Sequence, residues 1–70
     1  MITIRVIYSS NGNPAKDKRV SASTQSYSKD QYTNSLGDVD FDLTPGNGKV
    51  WVEGRVVHEG YLEGRVSVYI

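Results

Sequence analysis

Apolar and polar residues alternate one by one over most of this chain, between short runs of turn-forming residues. Strict alternation is typical of half-buried β-strands, because successive side chains of a strand point to opposite faces. The clearest stretch runs from Thr33 to Val52, where a turn, a strand, a second turn and a second strand follow one another. No apolar pattern recurs at helical spacing over a long window. The pattern therefore predicts a chain made almost entirely of strands and turns.

The alternation predicts four strands before residue 44 and a hairpin after it. The strands span about residues 2–8, 19–25, 31–34 and 38–43, and residues 49–70 form the hairpin. The second strand is polar, so we expect it near a sheet edge. Residues 26–31 predict a loop, with one helical turn around residues 28–31 as an alternative. We expect an all-β fold, a small antiparallel β-sandwich of six to seven strands.

The inward-facing positions of these strands define the predicted core. They are Ile2, Ile4, Val6, Tyr8, Val20, Ala22, Thr24, Val39, Phe41, Leu43, Val50, Val52, Val56, Leu62, Val66 and Val68. The intervening residues, such as Ser21, Trp51 and Val57, are expected on the outer faces.

The hairpin at residues 49–70 contains a near-repeat, Glu53-Gly54-Arg55-Val56 and Glu63-Gly64-Arg65-Val66. We predict a turn at residues 57–60 that closes a three-residue hairpin loop, with Gly60 in the left-handed conformation and Val57 opposite Tyr61. In that register each arginine of the repeat faces a glutamate of the other strand, and each pair contributes about 0.2–1 kcal/mol. A two-residue loop at Glu59-Gly60 would bury charges among valines, so we reject it.

The same register places Gly54 opposite Gly64 on the core side. Paired glycines leave a slot in a sheet, and we expect Phe41 or Tyr8 of the facing sheet to fill it. The alternative is a β-bulge at one of the two glycines.

Three aspartates, Asp38, Asp40 and Asp42, project from one face of the strand at residues 38–43. Successive members are about 6.5–7 Å apart by strand rise, which is too wide for all three to bind one calcium ion. We therefore favour a solvated acidic face over a metal site, with Arg5, Lys49 or Arg55 as neutralising partners. An acidic face also guards a strand against aggregation.

The length and composition predict one small domain over residues 1–70. A chain of 70 residues with no cysteine has neither a disulfide nor a thiolate metal site to reinforce it, so self-association is a reasonable source of stability. Eight basic and eight acidic residues give a net charge of zero, which disfavours nucleic acid as a partner. No apolar run is long enough to span a bilayer. Since no signal peptide follows Met1, we expect a cytoplasmic protein, with a secreted or surface fragment as the alternative.

The order of turns and strands resembles the carboxypeptidase regulatory-like domain. The residues that carry the resemblance are Gly12-Asn13-Pro14, the turn Thr33-Asn34-Ser35-Leu36-Gly37, the strand Val39-Asp40-Phe41-Asp42-Leu43, and Pro45-Gly46 before Val50-Trp51-Val52. The resemblance implies a prealbumin-like sandwich, and we expect a fold of the prealbumin-like or immunoglobulin-like class. It also implies a non-catalytic module that serves folding, spacing or docking, without cofactors or catalytic residues. His58, the single histidine, lies in the predicted hairpin tip, where we expect a solvated side chain rather than a catalyst.

An outward-facing Trp51 is the most informative candidate for a contact. In the predicted register Tyr69 lies diagonally across the ladder from it, and exposed aromatic residues beside arginine are typical of interaction hot spots. The candidate contact face comprises Ile7, Lys49, Trp51, Val57, Arg65 and Tyr69. We expect a protein partner or a homodimer, with carbohydrate or small-ligand binding on the same aromatic face as the alternative. A third interpretation is that Trp51 only covers the sheet or packs under the loop that carries Tyr27.

Overall fold

A computed structural model describes residues 1–25 and 30–70 of the chain. These residues form seven strands: β1 (Ile2–Ile7), β2 (Arg19–Ser23), β3 (Gln31–Tyr32), β4 (Asp38–Phe41), β5 (Gly46–Val52), β6 (Arg55–Leu62) and β7 (Arg65–Tyr69). Most of the loop predicted at residues 26–31, including Tyr27 and much of the alternative helical turn, lies outside the described residues.

The strands form two sheets, which pack face to face. The first sheet has the order β4-β1-β7, and the second sheet has the order β3-β2-β5-β6. The all-β sandwich predicted from the alternation is confirmed. One pairing departs from the antiparallel expectation, because β1 and β7 are parallel neighbours.

The core lies between the two sheets and consists of the inward-facing residues of both. Its members are Ile2, Ile4, Val6, Ala15, Val20, Ala22, Val39, Phe41, Leu43, Val50, Val52, Leu62 and Val68. Twelve of these thirteen residues belong to the predicted core, and Ala15 is the addition. The period-two pattern therefore assigns the inner faces of β1, β2, β4 and β5 correctly.

The turn between β3 and β4 forms as the sequence predicts. The Asn34 side-chain oxygen accepts hydrogen bonds from the backbone N–H groups of Leu36 and Asp38, at 2.9 and 3.0 Å. Gly37 takes a φ of +78°, a conformation that glycine adopts at little cost. Thr33 is buried and donates its hydroxyl to the carbonyl of Ala15 at 2.6 Å. These side-chain bonds tie the turn to the chain segment that leads into β2.

The predicted hairpin register is wrong. Residues 57–60, expected at the tip, lie within β6, and the true tip is the two-residue turn Glu53-Gly54, which leaves Val52 opposite Arg55. Both turn residues have positive φ, +52° and +80°, as a tight type I′ hairpin turn requires. Glutamate is an unusual residue for this conformation, so the sequence signal was weak. The Glu53 carboxylate offsets part of the cost by accepting a hydrogen bond from the Arg19 N–H at 3.0 Å.

The second half of the near-repeat is also a turn. At Glu63-Gly64 the chain leaves β6 in the second sheet and enters β7 in the first sheet, with Gly64 at a φ of +58°. The repeat therefore marks two turns and not a ladder of cross-strand charge pairs. Gly54 and Gly64 are both exposed and do not face each other, so the predicted slot does not form. Phe41 is fully buried within the general core.

A β-bulge at Val57 changes which side of β6 faces the core. Trp51 pairs with Val56, whereas Val50 pairs with His58, so Val57 is the extra residue between them. Val56 is 46% exposed, and its predicted burial is wrong. Val57 packs partly against the core, so its predicted outward position is also wrong.

β2 is one strand in from the edge of its sheet, as the expectation of a position near an edge requires. β2 lies between β3 and β5, although β3 pairs only with Arg19 and Val20. Ser21, predicted on the outer face of the strand, is nonetheless buried and donates its hydroxyl to the Asp30 carboxylate. A polar strand with a satisfied hydroxyl can therefore occupy the interior of the sheet.

The backbone of β2 lies very close to β5 at Gly48. A Cβ atom on Gly48 would lie 1.8 Å from the Ser23 carbonyl oxygen, so Gly48→Ala forces the two strands apart. We expect a loss of about 1–3 kcal/mol in the free energy of unfolding, measured by urea denaturation. Gly46→Ala is the matched control, since its Cβ would meet only the Thr24 Cβ at 4.0 Å. Equal unfolding midpoints for the two variants would contradict this account.

Candidate functional site

The six residues of the predicted contact face do not form one face. Trp51 and Lys49 lie on β5 in the second sheet, whereas Ile7, Arg65 and Tyr69 lie on β1 and β7 in the first sheet. The predicted diagonal placement of Tyr69 beside Trp51 is therefore wrong. The prediction assumed that β7 pairs with the preceding strand of a hairpin. In the structure β7 pairs with β1 instead, which places Tyr69 and Trp51 on different sheets.

Two residues of the predicted face become neighbours on the outer side of the first sheet. Ile7 and Tyr69 are paired in the parallel register of β1 and β7. Tyr69 is 59% exposed, and Ile7 is partly buried. Ile7 also lines a shallow cleft of about 170 Å³ with Arg5, Gly12, Pro14 and Leu36. Tyr69 is therefore an exposed side chain on β7, an edge strand of the first sheet.

Trp51 occupies the outer face of the second sheet. It is half-buried between Ser21 of β2 and Val56 of β6 in the strand register. Lys49 precedes Trp51 by two residues on the same face and lies opposite Glu59 in the strand register. Trp51 and Val56 therefore provide the apolar part of this face.

A larger cleft lies where β6 and β7 separate. The two strands meet at the Glu63-Gly64 turn and open toward the other end of the sandwich, where the β5–β6 turn and the end of β7 stand apart. We call this space, of about 570 Å³, the end cleft. Its lining residues are Lys18, Val52, Glu53, Arg55, Val56, Val57, Tyr69 and Ile70. Val57 and Tyr69 of the predicted contact face are thus brought together here.

The end cleft combines an apolar floor with a charged rim. The Glu53 carboxylate is already bonded to the Arg19 N–H, and Lys18 Nζ lies 5.7 Å from the centre of the Tyr8 ring. Within residues 1–25 and 30–70, neither Lys18 nor Arg55 forms an ion pair with a carboxylate. The rim therefore offers two cationic groups to an anionic partner.

Sequence reasoning overlooked Lys18, Val52 and Ile70 as residues that line a cleft. It considered Arg55 only as a partner for acidic side chains. The Glu-Gly dipeptides of the near-repeat, Glu53-Gly54 and Glu63-Gly64, were the available signal, because reading both as turns moves β7 away from β6 and opens the space between them.

The acidic strand forms a set of specific contacts on the outer face of the first sheet. Arg5 Nε lies 2.8 Å from an Asp38 carboxylate oxygen, and the Thr3 hydroxyl donates to Asp40 at 2.6 Å. The hydrogen bond from Arg5, together with the charges of Arg5 and Arg65, holds the pKa of Asp38 below its usual value. The expected neutralising role of Arg5 is thus confirmed for Asp38. Among the described residues, no group of three or more His, Asp or Glu side chains is arranged to hold a metal ion.

His58 lies on β6 and is half-buried, so its predicted position in a solvated hairpin tip is wrong. Its Nε2 atom is buried and has no hydrogen-bond partner within the described ranges. A histidine relay needs a second group within hydrogen-bond reach of the ring. The described part of the chain does not supply one at Nε2.

No family model, curated protein or solved structure matches this chain in the sequence and structure comparisons. In residues 1–25 and 30–70 there is also no helix long and apolar enough to cross a membrane.

The Arg5–Asp38 pair predicts a component of acid sensitivity. Because the folded pKa of Asp38 is depressed, its stabilisation is present above the ordinary value of 3.8 and is lost as the pH falls through the lower folded pKa. We expect Asp38→Asn to be less stable than wild type at neutral pH and to lose less stability between neutral and strongly acidic pH. Thermal unfolding midpoints over this range measure both effects.

The control is Asp42→Asn, since Asp42 is exposed and has no ion-pair partner among the described residues. A pH profile of Asp38→Asn that runs parallel to the wild-type profile would show that the ion pair contributes nothing to acid sensitivity.

Proposed function

We propose that this chain is a non-catalytic β-sandwich module that mediates protein–protein interaction or self-association. The observation that carries the proposal is the outer edge of β7, with which no other described strand pairs and which ends beside the exposed Tyr69 and the end cleft. A free strand edge offers backbone hydrogen bonds, and an adjacent cleft accepts side chains of the strand that pairs with it.

The resemblance to carboxypeptidase regulatory-like domains supports the same role. Its turn at Thr33–Gly37 occupies a connection between two sheets, as expected for a prealbumin-like sandwich, and β4 carries the aromatic residue Phe41 after that turn. We propose membership of this class on those grounds. The net charge of zero favours a protein partner over nucleic acid.

Site-specific photo-crosslinking tests the proposed contact region. A benzoylphenylalanine placed at Tyr69 in the cells that produce the chain is expected to yield protein adducts on irradiation, either with a second copy or with another protein. The same probe at Thr44 is the control, because Thr44 is also solvent-exposed and lies outside the end cleft. Adduct yields at Tyr69 no higher than at Thr44 would contradict an interaction at this edge.

A second function, carbohydrate or small-ligand binding, is favoured by the end cleft itself. Its volume of about 570 Å³ lies within the range of small-molecule sites. Tyr69 provides an aromatic ring, and Lys18 and Arg55 provide cations that form no ion pair within the described residues. These features suit a ligand with an apolar body and an anionic group better than a neutral sugar. The aromatic face first proposed for sugar stacking is reduced to the half-buried Trp51 and its neighbour Val56.

The dye 8-anilinonaphthalene-1-sulfonate, which joins an aromatic body to a sulfonate, tests this second function. We expect dye fluorescence to rise with the native protein and the dissociation constant to increase about tenfold when Lys18 and Arg55 are both changed to Gln, as for one lost charge-assisted contact. Lys49→Gln, which removes one cation outside the end cleft, is the control. If the double variant and the control bind the dye with equal affinity, the charged rim of the end cleft takes no part in ligand binding.

A further inference from the structure

We propose that the partner of the β7 edge is a second copy of this chain, whose β7 pairs antiparallel with the first across a two-fold axis at Ser67. This inference rests on the proposed interaction function and names its partner. It joins the first sheets of two subunits into one continuous sheet.

The backbone groups available at this edge follow from the pairing with β1. The Gly64 carbonyl accepts a hydrogen bond from the Thr3 N–H, and the Ile70 N–H donates to the Ile7 carbonyl, at 2.8 and 2.9 Å. Backbone direction alternates along a strand, so the even-numbered residues of β7 face β1. The N–H and C=O groups of Arg65, Ser67 and Tyr69 therefore face outward, where no strand of the described residues pairs with them.

The other edge of the first sheet is closed by hydrogen bonds from nearby residues. At β4, the Asn34 N–H donates to the Asp38 carbonyl at 3.0 Å, and the Asn34 side-chain oxygen accepts from the Asp38 N–H at 3.0 Å. The Gln31 side-chain amide donates to the Asp40 carbonyl at 2.9 Å. The aspartate side chains add negative charge to the same edge. A second copy therefore finds few free groups on β4.

The two edges of the second sheet are also poorly suited to pairing. β3 consists of only two residues, Gln31 and Tyr32. β6 is longer, but its ladder is interrupted by the bulge at Val57, and it carries Arg55 and Glu59. Short strands, charges and bulges are the features by which proteins prevent edge-to-edge association. Among the four edge strands of the described residues, β7 alone is both five residues long and without a bulge, and Arg65 is its single charged residue.

The sequence of β7 is complementary to itself in this register. With Ser67 on the two-fold axis, Arg65 of one copy faces Tyr69 of the other, which places a guanidinium beside an aromatic ring twice in the interface. Val66 faces Val68 of the other copy on the inner side, where Val66 is only partly buried in the single chain. Centring the axis on Arg65 instead would place two guanidinium groups opposite each other. The net charge of zero adds no long-range repulsion between copies.

Ser67→Pro tests the pairing without disturbing the fold. Proline lacks an N–H, and the Ser67 N–H faces the free edge, so the β1–β7 ladder keeps all of its bonds. By sedimentation velocity we expect the wild-type chain to dimerise and Ser67→Pro to dimerise at least tenfold more weakly with an unchanged far-ultraviolet circular dichroism spectrum. Ser67→Ala is the matched control and should dimerise like wild type.

Ser67→Cys provides a second test that does not depend on tolerance of proline. The chain has no cysteine of its own, and facing residues in the proposed register bring the two thiols within disulfide range. We expect rapid formation of an intermolecular disulfide under mild oxidation, and a much lower yield for Ser35→Cys, which is exposed in the β3–β4 turn.

A monomeric wild-type chain at high concentration would overturn the proposal. So would a dimer that persists in a folded Ser67→Pro variant, or equal disulfide yields at Ser67 and Ser35. If the wild-type chain is monomeric but the photo-probe at Tyr69 captures a different protein, self-pairing is wrong and the interaction function stands. If neither occurs, both proposals are wrong.

Discussion

The parallel pairing of β7 with β1 is the contact on which the rest of the structure depends. It draws the last strand out of the second sheet, so the chain must change sheets at Glu63-Gly64. Val66 and Val68 then contribute to the core from the first sheet, and β6 is left as the border of the second. The same pairing separates β6 from β7 at one end and so produces the end cleft. A hairpin of β6 with β7 would have closed that space and removed both features.

The sequence predicts inner and outer faces well because alternation is a local property of each strand. Phe41, Val50 and Val52 are buried as expected, and the Thr33–Gly37 turn forms from residues with strong turn preferences. Strand pairing is less accessible, because it depends on which turns carry the chain within a sheet and which carry it across. Glu53 illustrates the difficulty. A glutamate at positive φ is held there by its bond to Arg19, a contact distant in sequence that no local pattern reveals.

The candidate site was also predicted correctly where it depends on alternation within one strand, and incorrectly where it depends on contacts between strands. The exposure of Tyr69 and the outward direction of Trp51 follow from alternation, but their separation onto different sheets does not. Val57 faces the core because a bulge shifts the ladder by one residue, and a one-residue shift exchanges the two faces of a strand. The two cations of the charged rim of the end cleft are Lys18, which precedes β2, and Arg55, at the start of β6. Only the completed fold brings these two cations to one cleft.

The bonds that Asn34 and Gln31 make to β4 bear on the geometry of any assembly built from the first sheet. A sheet with two open edges can add copies head to tail without limit, and such a series ends in fibres. With one edge occupied by its own turn, this sheet can grow in a single direction, so an isologous contact through β7 uses its remaining free edge. For the proposed β7 contact, the hydrogen bonds of Asn34 and Gln31 to β4 thus favour a closed pair over an open-ended polymer.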